Sequence, residues 1–401
     1  MDTVAVGDLL IGDDHPPRIM GVLNVSEESP YDPSVFDDPE AAAEYVETSL
    51  VAEGADIVDV GLESANKRFE TLSADAERDR LEVAIETIDR VDADVVFSIE
   101  TRYASVADEA LSRGFDMVND ICGFADPAMR TIATDHDAAV VKMASPPDLE
   151  RPGAVDDVDW SAERSPQWAA EASYVDKLYA SLQRGGLTEK TLVDPAFGGW
   201  SESKTLEDDQ ETFRRLREFR ALDRPILVSI NRKNFLKTIA DRDTDEALPA
   251  SLGATAMAVE RGAHVIRTHD VAETRDAALV AHEFAPRRIR TEHVEERDVT
   301  NAAELARHIR QHGDSPAENT WHTVRAVTVR GLSTTERRRV HDAAAETDLQ
   351  SFGSTELLLV GPDLAFEALI EGIEAPDGDL GRVREDLRCV ISNEKTYTGC
   401  R

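Results

Sequence analysis

Two short stretches carry the residues with the clearest capacity for chemistry. "VSINRKNF" sets Asn231, Arg232 and Lys233 side by side, and "HVIRTHDV" sets Arg267, His269 and Asp270. The guanidinium fork and the lysine point charge suit phosphate oxygens. Alternate residues of a strand share a face, so Arg267 and His269 can together clamp an anionic leaving group. Arg232, Lys233, Arg267 and His269 therefore read as a cationic cluster in a chain dominated by carboxylates. The competing reading pairs Arg267 and His269 with neighbouring acids as internal salt bridges. Asn119 and Asp194 offer an amide and a carboxylate, which match the edge of a flat heterocycle with amide-like donors and acceptors. Glu100 can share that work. Asn24 reads as a ligand to a hard divalent ion such as Mg²⁺ carried on phosphates, or as a structural asparagine closing the first strand.

These residues sit at the ends of β-branched runs. Candidate strands cover residues 18–24, 56–60, 95–99, 117–121, 139–143, 191–193, 226–230 and 265–268. Helical stretches lie between them at 39–52, 74–88, 105–113, 126–134, 167–183, 206–220, 248–261 and 273–282. Gly54, Gly114 and Gly262 each end a helix just before a strand, where a glycine can adopt the left-handed cap. Eight such units predict a (β/α)₈ TIM barrel, and no strand leads into a GxGxxG loop. In a barrel, function gathers beyond the C-terminal strand ends. Those ends read Asn24; Asp59, Glu63 and Ser64; Glu100, Thr101 and Arg102; Asn119 and Asp120; Lys142 and Met143; Asp194; then the two cationic stretches. Residues 1–285 are expected to form the barrel and 286–320 a polar connector with a short helix at 301–311. Residues 321–401 are expected to form a small α/β domain, with strands at 321–330 and in "ELLLVG", helices in "STTERRRVHDAAAE" and "DLAFEALIEGI", and a last strand in "LRCVIS".

The chain has 401 residues, with 80 acidic against 44 basic side chains and a formal net charge of -36. Such a field repels nucleic acid and anionic membranes, so neither is an expected partner. The acidity is distributed along the chain, as on the solvent face of a halophilic protein. Cys122, Cys389 and Cys400 show no metal-like spacing and no disulfide framework. With no visible signal peptide and no apolar run of the ~20 residues a transmembrane helix needs, the expected location is cytoplasmic.

Taken in order, "IMGVLNVSEES", "EGADIVDVGLES", "FSIETRYASVADEAL", "DMVNDI", "LVDPAFGG", "VSINRKNF" and "GAHVIRTHDV" resemble the dihydropteroate synthase family, the sulfonamide-target enzymes of folate biosynthesis. The resemblance runs over about residues 18–280. It implies displacement of diphosphate from 6-hydroxymethyl-7,8-dihydropterin diphosphate by the amine of 4-aminobenzoate, assisted by Mg²⁺, in a homodimer. It assigns the diphosphate to Asn24, Arg267 and His269, and the pterin ring to Glu100, Asn119, Asp194 and Lys233, with Met143 lining it. Asn24, Lys233, Arg267 and His269 would be the catalytic set. The chain departs from the family at Ala65–Arg68, where Thr-Arg-Pro-Gly is usual, and at Glu100, where aspartate is usual. It departs again in the loop "SEESPYDPSVF" and at Asn231, which replaces a serine. These departures bear on the amine partner, leaving room for another arylamine or a related pterin. The rival readings are a pterin-dependent methyltransferase and a non-catalytic pterin-binding or scaffold barrel. The Arg267/His269 pair argues against the methyltransferase, whose substrate has no diphosphate to hold.

Overall fold

The computed structural model describes Met1 and residues 3–25, 34–63, 71–285, 297, 299–311, 324–373 and 378–392. The chain divides into two compact units, Met1–Arg287 and Arg288–Arg401.

The first unit opens with a hairpin, β1 (Val4–Val6) and β2 (Leu9–Ile11), that sequence reading missed. Gly7, at φ +56°, supplies the left-handed turn that a two-residue hairpin loop needs. Eight parallel strands follow: β3 (Arg18–Asn24), β4 (Ile57–Gly61), β5 (Val96–Glu100), β6 (Met117–Asp120), β7 (Ala139–Met143), β8 (Thr191–Asp194), β9 (Ile226–Val228) and β10 (Ala263–Thr268). They close in sequence order, with β10 pairing back to β3. This is the expected (β/α)₈ barrel.

The strands are apolar on both faces, as parallel strands between a packed interior and a helix layer must be. Outward residues such as Ile19, Val58, Ile99, Val118, Val140 and Val228 pack under the helices. Inward residues Met20, Ile57, Met117, Val141, Leu192, Leu227 and Val265 fill the interior, where Val4, Val6 and Ile11 of the hairpin join them. The hairpin thus plugs the barrel with side chains, and the opposite end carries the polar groups. Gly54, Gly114 and Gly262 take φ of +99°, +110° and +99°, in keeping with helix-ending turns.

Several boundaries differ from the sequence reading. The helix expected at 167–183 breaks into Pro166–Glu171 and Tyr174–Gln183, because Ser173 and Asp176 form a capping box that starts a new helix. The helix expected at 206–220 ends at Arg214 and tightens into a 3₁₀ turn over Leu216–Leu222. A short helix, Asn234–Ala240, follows Lys233.

In the second unit, β11 (Val324–Val329), β12 (Gln350–Phe352) and β13 (Leu357–Pro362) form an antiparallel sheet in the order β11-β13-β12. Leu359, Val340, Phe366 and Leu369 lie in its core. The segment "LRCVIS", expected as a strand, lies inside the helix Asp379–Ser392. Leu380, Val383 and Leu387 share the three-to-four-residue spacing of a helix face, and that spacing outweighs the local β-branched character. The helix Ala302–Gln311 also belongs to this unit. Among the described residues, no helix is long and apolar enough to cross a membrane.

Candidate active site

Strand register brings the polar ends together before any side chain is considered. Asn24 lies beside Gly61, Gly61 beside Glu100, and Glu100 beside Asn119. Further round, Met143 lies beside Asp194. All six share the inward parity of Met20, Ile57, Val96, Met117, Val141 and Leu192. Gly61 leaves the gap that Asn24 uses, since a Cβ there would stand 3.0 Å from Asn24 Oδ1.

The centre of the arrangement is Asp59, fully buried on β4. Its Oδ1 accepts from Ser98 Oγ at 2.7 Å. Its Oδ2 accepts from Asn119 Nδ2 at 2.9 Å and Arg267 Nε at 2.7 Å. Arg267 Nη2 reaches across to Glu100 Oε2 at 2.8 Å, and Asn119 Nδ2 lies 3.5 Å from the same oxygen. One guanidinium therefore bridges two carboxylates. With Nδ2 committed to Asp59, Asn119 keeps Oδ1 as an acceptor. Burial, opposed by Arg267 and reinforced by the Asp59 charge, pushes the Glu100 carboxyl up to about 7. Burial works against the Arg267 charge, but Asp59 and Glu100 outweigh it and hold the guanidinium protonated. The internal-salt-bridge reading of Arg267 describes this geometry: Nε pairs with Asp59 and Nη2 with Glu100.

Asp194 and Lys233 form the second half of the site. Asp194 Oδ1 accepts from the Ala196 N–H at 2.7 Å. Burial pushes this carboxyl up to about 6, against the pull of that N–H and of Lys233. Burial and the nearby Arg267 lower the Lys233 ammonium from its ordinary range, while Asp194 opposes them. Lys233 Nζ lies 5.8 Å from the Trp200 ring centre. It also lies 3.1 Å from where a Gly198 Cβ would stand, so glycine (φ +115°) makes room for the lysine head group. A buried lysine that sequence reading passed over, Lys204, fixes this loop. Its Nζ bonds Asp209 Oδ1 and the Ala196 carbonyl, both at 2.7 Å, while Asp209 also accepts from the Gly198 N–H.

The expected cationic cluster is corrected in two places. Arg232 is turned away from it: Nε and Nη2 each bond an Asp270 carboxylate oxygen at 2.8 Å, and Nη1 donates to the carbonyls of Thr244 and Asp245. His269 is not a cation at neutral pH, because burial first and then Arg267 lower its imidazole to about 3. Two other strand-end groups point outward and leave the site. Lys142 Nζ bonds the carbonyls of Leu182, Arg184 and Gly186 behind the barrel wall. Asp120 accepts from the N–H groups of Cys122 and Phe124, at 2.8 and 2.6 Å, and shapes its own loop.

Beside Glu100, the buried Arg102 donates to Glu63 Oε2 at 2.7 Å and to the Leu149 carbonyl at 2.6 Å. Glu63 Oε1 accepts from the Leu72 N–H at 2.8 Å. Ser64 and Ala65–Arg68 lie outside the described residues, as does most of the loop "SEESPYDPSVF".

Asn24 Nδ2 donates to Ser34 Oγ at 2.9 Å, leaving Oδ1 as an acceptor. Among the described residues, no group of three or more His, Cys, Asp or Glu is placed to hold a metal ion. A lone amide oxygen fits a Mg²⁺ that arrives on phosphate oxygens and keeps most of its waters, not an ion caged by the protein.

Comparison with known proteins agrees with this fold. The family described as pterin binding enzyme matches residues 20–269. A probable bifunctional folylpolyglutamate synthase/dihydropteroate synthase of Halobacterium salinarum is 35% identical over 263 residues, covering 66% of this chain and 31% of that protein. The chain thus spans about a third of that relative's length. The dihydropteroate synthase of Bacillus subtilis is 30% identical over 255 residues, 63% of this chain and 83% of that enzyme. The crystal structure of dihydropteroate synthase from Thermus thermophilus in complex with 4-aminobenzoate is 30% identical, with a TM-score of 0.55 over 71% of this chain and 100% of that one. The chain belongs to the dihydropteroate synthase family of pterin-binding enzymes.

Proposed function

We propose that the barrel transfers the pterin methylene of 6-hydroxymethyl-7,8-dihydropterin diphosphate to the amine of 4-aminobenzoate or a related arylamine. The observation that carries this reading is the bridge from Asp59 through Arg267 to Glu100 and Asn119, in one ring of inward strand ends with Asp194. The T. thermophilus enzyme's 4-aminobenzoate supports the choice of amine.

In this reading, Asp194 and Asn119 Oδ1 accept from the N–H groups on the amide-like edge of the pterin, and Lys233 donates to an acceptor on the same ring. Met143 lines the ring from the neighbouring strand end. The bond between the exocyclic methylene and the diphosphate oxygen breaks, and its electron pair leaves on oxygen. The amine lone pair forms the new C–N bond, and the surplus amine proton departs. Arg267 Nη1 and a neutral His269 N–H meet the charge gathering on the leaving group, where preorganised donors in a dry site are most effective. A Mg²⁺ carried by the diphosphate would take Asn24 Oδ1 as one ligand and help neutralise that charge. No side-chain nucleophile is required, because a positioned arylamine is already competent.

The test is turnover by the full chain in molar potassium chloride with the pterin diphosphate, Mg²⁺ and a panel of arylamines, following diphosphate release and pteroate formation. Arg267→Ala is expected to slow turnover by about a hundredfold or more. Cys122→Ala, whose thiol is buried behind the strand end, is expected to leave turnover near wild type. Equal effects of the two, or folded protein inert toward every amine, would overturn the assignment.

A further inference from the structure

The strands that supply Lys233 and His269 part company just where those residues begin. The last paired residues of β9 and β10 are Val228 and Ile266, so no ladder bond fixes the distance between the segments that follow. The residues adjoining the two proposed ligands do instead. Arg232 grips Asp270 through two parallel bonds of 2.8 Å, a fork-to-fork geometry that fixes both distance and orientation. Asn231 adds a third bond, Nδ2 to Asp270 Oδ2 at 2.8 Å, and its Oδ1 lies 3.4 Å from the His269 amide nitrogen that donates to it.

Local backbone is bent to make this possible. Arg232 holds φ +52°, a left-handed conformation that a non-glycine residue rarely keeps without a reason. Its amide is tied to Ser251 Oγ at 2.8 Å. The turn sends Arg232 toward Asp270 and Lys233 toward Asp194. The two carbonyls bonded to Arg232 Nη1 anchor the far side of the guanidinium.

We propose that Arg232 and Asp270 are positioning residues, a spacer that sets the gap between ring-facing Lys233 and leaving-group-facing His269. The inference rests on the functional reading above. Lys233 has independent support from Gly198, Trp200 and Asp194, whereas Asp270 follows His269 directly in the chain. Loosening the spacer therefore displaces His269 more than Lys233. Diphosphate recognition suffers and ring recognition does not.

Calorimetric binding to the full chain tests this with two ligands, 6-hydroxymethyl-dihydropterin diphosphate and the same pterin alcohol without diphosphate. Asp270→Asn and Arg232→Lys are each expected to weaken diphosphate binding about tenfold while alcohol binding stays within about twofold. The double variant is expected to lose little beyond the worse single one, since both remove one shared interaction. Arg217→Lys, at an ion pair with Glu260 away from the strand ends, serves as the control that changes stability without changing the ligand preference. Variants that melt lower yet keep the wild-type preference for the diphosphate form show a merely structural pair and overturn the spacer. If Asp270→Asn does not fold, Arg232→Lys, which retains charge, carries the same comparison. A wild-type chain that binds neither ligand defeats the functional reading and the spacer with it, an outcome distinct from normal wild-type binding with unaltered variants.

Discussion

Replacing Asp59 separates charge from shape at the centre of the site. In Asp59→Asn, the side-chain oxygen can occupy the Oδ2 position and accept from Asn119 and Arg267, while the new amide nitrogen faces Ser98 Oγ, which can accept. Every bond of the hub then survives, with a neutral amide in place of the carboxylate. Hydrogen bonds to ionised partners are roughly twice as strong as neutral ones, so the expected loss is about 1–2 kcal/mol. Arg267 keeps Glu100 as a partner at 2.8 Å, which limits the damage. Removing the Asp59 charge also removes one cause of the raised Glu100 carboxyl, now near 7, so Glu100 is expected to ionise at lower pH in this variant. Asp59→Ala deletes the acceptors as well, leaving Asn119 Nδ2 and Arg267 Nε facing a cavity, with an expected loss of about 3–5 kcal/mol. Denaturant unfolding at fixed salt measures both losses, and carboxyl-selective NMR titration follows Glu100. If the two variants are equally destabilised, or if Asp59→Ala stays within about 1 kcal/mol of wild type, the hub does not hold the site together as described. A Glu100 titration unmoved by Asp59→Asn would break the link between the two carboxyls.

Two further predictions concern protons. Glu77 is buried beneath Glu63 and Glu100 and bonded to Thr101 Oγ1, and burial raises its carboxyl to about 7. A folded-state value above the ordinary 4.5 means that stability is fullest below that pH and falls as pH rises through 7; Glu77→Gln should flatten that decline by at most about 3 kcal/mol, read from unfolding curves between pH 4.5 and 8. A decline as steep in Glu77→Gln as in wild type refutes the assignment. Glu100, raised to about 7, would gain an anionic neighbour if diphosphate binds as proposed, so binding should take up a proton and tighten as pH falls from 8 to 6. Calorimetry in buffers of different ionisation enthalpy detects that uptake, and Glu100→Gln should reduce it while His269→Gln should not; equal uptake in Glu100→Gln and wild type would assign the proton elsewhere.

The barrel was legible because its period is local. Each β-branched run, each helix-ending glycine and each polar strand end is readable within a dozen residues. Parity was also legible, though it was applied only to Arg267 and His269. The same alternation separates Asn119, facing in, from Asp120, facing out, and Met143 from Lys142, whereas the choice of Asn119 and Met143 as site residues rested on the family resemblance. Arg232 was beyond that rule, because its left-handed turn lies past the end of β9, where alternation stops. Asp59 was visible as a strand-end carboxylate, but its partnership with Arg267 joins residues 208 apart on strands separated by β3. Nothing in either local stretch announces it. The spacing of "LRCVIS" misled for the opposite reason: six residues read alone suggest a strand, while the fourteen-residue helix window around them shows one apolar stripe.

The corrected site is closer to charge balance than a cluster of four cations would be, and that changes how it meets an anion. Arg267, Lys233 and Arg102 face Asp59, Glu100, Glu63 and Asp194, so fully ionised side chains would leave the mouth net negative in a chain that already carries -36. A diphosphate would then be repelled. Two of those carboxyls, Glu100 near 7 and Asp194 near 6, retain part of their protons close to neutral pH because burial penalises their charge. Each retained proton removes a negative charge without moving an atom, and each is strengthened when another anion comes near. In the proposed function, the acid-rich surroundings would therefore oppose diphosphate binding less than their formal charge suggests. They would couple it to protons, and the dependence of diphosphate affinity on pH, more than any count of lysines and arginines, tests that reading.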